Sequence, residues 1–130
     1  MTLLERLQAL TGPDREVDAL IAARFKIYHG QCVWVQQWPG EWRAIEGAVH
    51  LLGPNGSRGN FIPTNFTGSI DAAMTILQQY NSFRIARILD DLFGVEIVTD
   101  SCPWIDALGA TPAIALCIAI VKAEETQHEQ

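Results

Sequence analysis

Positive charge is scarce in this sequence: nine basic residues stand against fifteen acidic ones, for a formal net charge of −6. Non-specific binding to a duplex draws its affinity from neutralising phosphates, so no duplex nucleic acid is expected as a partner. Cysteine is scarce too, with Cys32, Cys102 and Cys117 odd in number and far apart. That excludes a disulfide framework and the paired spacing of a zinc site, and leaves the three as small hydrophobes in a reducing compartment. Long hydrophobic runs are missing. The longest, "AIALCIAIV", is about half of the ~20 residues that a membrane span requires, and no membrane partner is expected. The opening "MTLLERLQAL" carries Glu5 and Arg6 inside its apolar pattern and has no small-residue cleavage site, so it reads as an amphipathic helix rather than a signal peptide.

What is present suffices for a core. A chain of 130 residues that is 48% hydrophobic can bury one without metal or disulfide staples, and the expected organisation is one domain over residues 1–124 with a polar tail over 125–130. Thr2 and Glu5 form a capping box ahead of Leu3, Leu4 and Leu7. Thr11 and Asp14 repeat that spacing around Pro13, which predicts a second helix from about Pro13 to Phe25. From Ile27 to Ile45 the residues turn β-branched and aromatic, and "WPGEW" supplies the turn of a hairpin. Val33 and Val35 alternate with Cys32 and Trp34, as in a sheet covered on both faces. "VHLLGPNGSRGNFIPTNFTGS", residues 49–69, shows neither helical nor strand periodicity and reads as a long loop. Ser69 then caps a helix carrying Ile70, Ala73, Met74 and Leu77. "SFRIARIL" and "VEIVT" predict a second hairpin around "DDLFG", and Thr111 with Pro112 opens a last helix that has almost no polar face. Such a helix belongs either in the core or in a subunit contact. The expected fold class is α/β (α+β): an α/β/α sandwich whose mainly antiparallel sheet of two hairpins is flanked by helices.

Three segments, "LTGPDREVDALIAA", "FTGSIDAAM" and "GATPAIALCIA", resemble in content and order the phage ABA sandwich domain family of small tailed-phage and prophage proteins. The resemblance implies an α/β/α sandwich and a setting in the host cytoplasm, and it implies no reaction or catalytic residues. Family members usually carry Tyr-Thr before the Ser-x-Asp-Ala-Ala helix start, whereas this chain has Phe66-Thr67. In physical terms the shared segments are two capped helix starts and a proline-opened helix, each an instruction for folding. The tryptophan hairpin and most of the 49–69 loop lie outside them, so specificity is expected there.

Catalytic signals are thin. His29, His50 and His128 are the only histidines, and no Ser or Cys sits in a G-x-S-x-G elbow. Asp90-Asp91 suits a solvated hairpin turn better than a metal site. The glycines at 53, 56 and 59 match neither a Walker loop nor a dinucleotide fingerprint. What survives is a set suited to a planar anion. Arg43 and Arg58 are phosphate donors, Asn60 and Asn65 are amide readers, and Trp38, Trp42 and Trp104 offer stacking faces. The plainer alternative is that Trp38 and Trp42 pack across their own hairpin and that Arg58 is a solvated loop charge. The expected function is thus non-catalytic binding of a small nucleotide-type ligand by a phage accessory protein, sequestering a host immune nucleotide signal. No cofactor is expected. The alternative is an assembly module forming a homo-oligomer through aromatic anchors and the last helix, and a nucleotide hydrolase ranks third.

Overall fold

A computed structural model describes residues 2–28, 31–32, 41–52, 58–77, 82–90, 92–98 and 105–128. The first helix, α1 (Leu3–Gln8), starts at the expected reciprocal cap: the Thr2 hydroxyl accepts from the Glu5 N–H at 3.1 Å, and the Glu5 carboxylate accepts from the Thr2 N–H at 3.2 Å. The second, α2 (Arg15–Phe25), begins later than the sequence predicts. Its cap is Asp14, whose carboxylate accepts from the N–H groups of Glu16 and Val17 at 2.9 and 3.2 Å. A carboxylate at the helix start satisfies two orphan donors, which sets the boundary there rather than at Thr11 and leaves Pro13 before the helix.

Two short strands, β1 (Ile27–Tyr28) and β2 (Gln31–Cys32), pair antiparallel. The "WPGEW" turn expected next falls mostly on residues 33–40, outside the described residues. Strands β3 (Glu41–Ile45) and β4 (Ala48–Leu52) are joined at Glu46 and Gly47, both left-handed with φ of 50° and 80°. Left-handed geometry at both central positions matches the right-handed twist of the strands it joins. Strand β5 (Arg58–Phe61) pairs with β4. The stretch read as one long loop is therefore in part a hairpin. Its alternation is hidden because Leu51 and Leu52 are adjacent leucines on opposite faces, and because Gly59 occupies an inward position without a side chain.

Helix α3 (Ile70–Leu77) follows, with the Ser69 hydroxyl accepting from the Ala72 N–H at 3.3 Å. The second predicted hairpin is present as β6 (Ser82–Leu89) and β7 (Leu92–Val98), with a tighter turn than expected because residues 92–94 already belong to the strand. A further strand, β8 (Ile105–Gly109), pairs with β7 and was not anticipated. Helix α4 (Pro112–His128) is opened by Thr111, whose hydroxyl accepts from the Ile114 N–H at 3.2 Å, and it runs on into the residues assigned to a tail.

The chain is thus an α+β protein with helices against antiparallel sheets. Among the described residues the strands form the ribbon β1-β2 and two three-stranded sheets, β3-β4-β5 and β6-β7-β8. Helix α2 packs on β3 and β4, while α4 lies between the β6-β7-β8 sheet on one side and α1 and α3 on the other. Every residue from 113 to 121 is buried. Of the two places open to an apolar helix, α4 occupies the core. Gly109 makes this packing possible, since a Cβ there would lie 2.6 Å from the backbone nitrogen of Ala115. Among the described residues no helix is long and apolar enough to cross a membrane.

Candidate functional site

Of the sequence-derived ligand residues, Trp42, Arg43, Asn60 and Asn65 have described side chains, and the first three divide between the two faces of one sheet. Trp42 is half-buried on the inward face of β3, its ring 6.0 Å from that of Phe61 in an edge-to-face contact, which is core packing rather than an open stacking face. Arg43 points to the opposite face, where it pairs with Glu41 at 2.7 Å. The register aligns Arg43 with His50, and His50 with Asn60. Arg43, His50 and Asn60 therefore form one cross-strand row on the outward face of the β3-β4-β5 sheet. Arg58 sits opposite Leu52 in the ladder. Trp38 and Trp104 lie outside the described residues. Asn65 is exposed, with its side-chain amide packed so closely on Gly68 that a Cβ on that glycine would fall 2.5 Å from it.

Gly68, on which Asn65 packs, borders a cleft of about 480 Å³ that sequence reasoning did not find. It is lined by Pro13 and by residues 67–71 and 111–113. These are the beginnings of α3 and α4 and the approach to α2, so the three segments that carried the family resemblance meet at one cleft. Its signal was present in the sequence as three caps. That caps distant in the chain converge in space is a property of the tertiary packing and is not encoded in any local pattern.

A buried polar node holds the segments in place. Asp18 is fully enclosed and Thr67 is 1% exposed. The Asp18 carboxylate accepts from the Thr67 N–H at 2.8 Å and from its hydroxyl at 2.9 Å, and Thr67 Oγ1 accepts from the Asp14 N–H at 2.9 Å. The other carboxylate oxygen accepts from Arg15 at 2.9 Å, and Arg15 also donates to the Pro63 carbonyl. Burial raises the Asp18 carboxyl above its ordinary value, while the Thr67 hydrogen bonds and the Arg15 charge pull it down. Beneath the node, the Cys117 thiol donates weakly to the Phe66 carbonyl at 3.5 Å. Burial, followed by the nearby Asp18 charge, pushes that thiol far above the usual range, so it is no nucleophile.

At the cleft itself the Ser69 and Thr111 hydroxyls cap their helices, and the N–H groups of Ile70, Asp71 and Ala113 have no acceptor among the described residues. Free N–H groups at helix starts carry partial positive charge and favour an anion. Asp71, exposed at the rim, is the one carboxylate among the lining residues. Of the lining hydroxyls, that of Thr67 donates to the buried Asp18 carboxylate, and among the described residues no three His, Cys, Asp or Glu side chains gather as a metal site. Compared with known protein families, with curated proteins and with solved structures, the chain matches none.

Proposed function

We propose that this protein binds, without transforming it, a small phosphate-bearing ligand of nucleotide type, with the phosphate seated where α3 and α4 begin. The observation that carries this reading is the convergence on one cleft of two helix N-termini whose N–H groups are unpaired among the described residues. Its volume of about 480 Å³ falls within the range of small-molecule sites. Asn65, packed on the lining residue Gly68, offers an amide for a base or sugar. This reading moves the site away from the glycine-rich loop and into the segments that resemble the phage ABA sandwich domain family. That resemblance supports the further reading of a phage accessory protein in the host cytoplasm, one that removes a host nucleotide signal by holding it.

Isothermal titration with nucleoside phosphates, cyclic dinucleotides and ADP-ribose-type signals tests the proposal. Micromolar or tighter binding of at least one, with no new product by mass spectrometry, is the expected result. Ile70→Pro removes one cleft N–H at the first position of α3, which tolerates proline, and it should weaken that ligand about tenfold, as loss of a single charge-assisted hydrogen bond would. Arg58→Ala asks whether β5 also contributes, and unchanged affinity makes the neighbouring loop a connector. Absence of binding across the panel at tens of micromolar refutes the proposal, and turnover would make the protein an enzyme.

A further inference from the structure

One face of the β6-β7-β8 sheet is covered by α4. The other face presents two cross-strand rows set by the register. Arg84, Glu96 and Asp106 form the first; Ala86, Gly94 and Leu108 form the second. Ile88 lies over the second row, since a Cβ on Gly94 would fall 2.9 Å from its Cδ1. Together these residues line an open groove of about 420 Å³. Ile88 and Leu108 are 53% and 55% exposed. Among the described residues none pairs with the charges of Arg84, Glu96 or Asp106. An apolar trough bordered by charges of both signs is the composition of an interface.

The rows are antisymmetric across the sheet. The first runs from positive on the edge strand β6 to negative on the edge strand β8. The second runs from small on β6, at Ala86, to large on β8, at Leu108. Such a face complements itself. A twofold axis parallel to β7 would lay β6 of one molecule over β8 of the other without changing the level along the strands. Arg84 then meets Asp106 of the second copy, and Ala86 receives Leu108 of the second copy. Gly94 lies at the axis, and the Ile88 side chain that covers it faces its own equivalent there. Glu96 also faces its equivalent there, flanked by the Arg84 of each molecule. Face-to-face packing of sheets with strands roughly aligned is a common geometry, and a symmetric dimer requires this kind of self-complementary patch.

We infer that this protein forms a symmetric homodimer through the outward face of the β6-β7-β8 sheet. The inference is independent of the ligand reading, because the cleft at the helix starts is lined by other residues. It also gives the assembly a different surface from the last helix, whose apolar residues are occupied in the core.

Light scattering on size-separated protein, together with sedimentation equilibrium, tests it by charge reversal. The unmodified protein should be a dimer at tens of micromolar. Arg84→Asp alone and Asp106→Arg alone each place like charges across the axis and should raise the dimer dissociation constant about ten- to a hundredfold. The double variant restores opposite charges and should recover the dimer. Leu108→Asp should give a monomer. Circular dichroism and thermal melts confirm that each variant is folded, and a misfolded single variant leaves the double variant as the deciding sample. An unmodified protein that is monomeric at these concentrations overturns the inference. So does a dimer indifferent to both single reversals, or a folded double variant that stays monomeric.

Discussion

Asp18 shows how a single residue ties sequence to architecture. Its carboxylate joins α2 to the segment before α3 through Thr67, and Arg15 reaches from it to Pro63. Because burial raises its pKa in the folded state, the native protein binds a proton at Asp18 more readily than the unfolded chain does. The resulting stabilisation is complete below the ordinary carboxyl pKa and is lost as pH rises through the raised value. The stability difference between the natural protein and Asp18→Asn, measured by urea unfolding from about pH 3 to pH 8, should therefore shrink with rising pH and then level off. A difference that grows instead would mean that Arg15 and Thr67 outweigh burial. None of this was legible beforehand. In the sequence Asp18 occupies an apparently solvated position within "REVDALIAA", and only the approach of Thr67, 49 residues away, makes it a core group. Residues whose meaning depends on their immediate neighbours fared better: Thr2, Ser69 and Thr111 cap the helices they were expected to cap.

At the scale of elements, close packing of α4 on β8 rests on a missing side chain. Gly109→Ala would drive a methyl group into the backbone of Ala115, at 2.6 Å from its nitrogen and 2.8 Å from its Cα. Backbone cannot move aside as a flexible side chain does, so a loss of about 1–3 kcal/mol is expected from chemical denaturation. Gly12→Ala, which would meet nothing within 4 Å, serves as the neutral control. The strands that escaped sequence reading share one cause. In β8 the inward positions Ile105, Ala107 and Gly109 shrink progressively toward α4, while Leu108 points outward and 55% of it is exposed. An outward leucine and an inward glycine reverse the alternation by which a half-buried strand is recognised. The same inversion defines the proposed dimer face, with Ile88 and Leu108 outward over Gly94. Strand β5 was missed for a related reason, its inward Gly59 offering no apolar mark. The site followed the same pattern. Its capping residues were read correctly as caps, but the cleft they build was not, because their convergence is set by tertiary packing.

For the molecule as a whole, the fold class was readable because helix caps and β-rich segments alternate along the chain. The division into separate sheets depends on which strands pair, which composition does not specify. The whole converges on α4, where residues 113–121 are all buried and Cys117 sits at the centre with its thiol held protonated. Alkylation of Cys117 by iodoacetamide, followed peptide by peptide in the mass spectrometer, should be undetectable under native conditions at about pH 8. It should appear together with the global unfolding transition, and rapid native labelling would show instead that α4 opens on its own. The position of this helix also has a consequence for biosynthesis. Every other described element leaves the ribosome before α4 does, at about 5–20 residues per second, and α1, α3 and the β6-β7-β8 sheet all pack against it. Their apolar faces therefore emerge without their shared partner and stay open to chaperones until residues 112–128 are released, whereas α2 can already pack on β3 and β4.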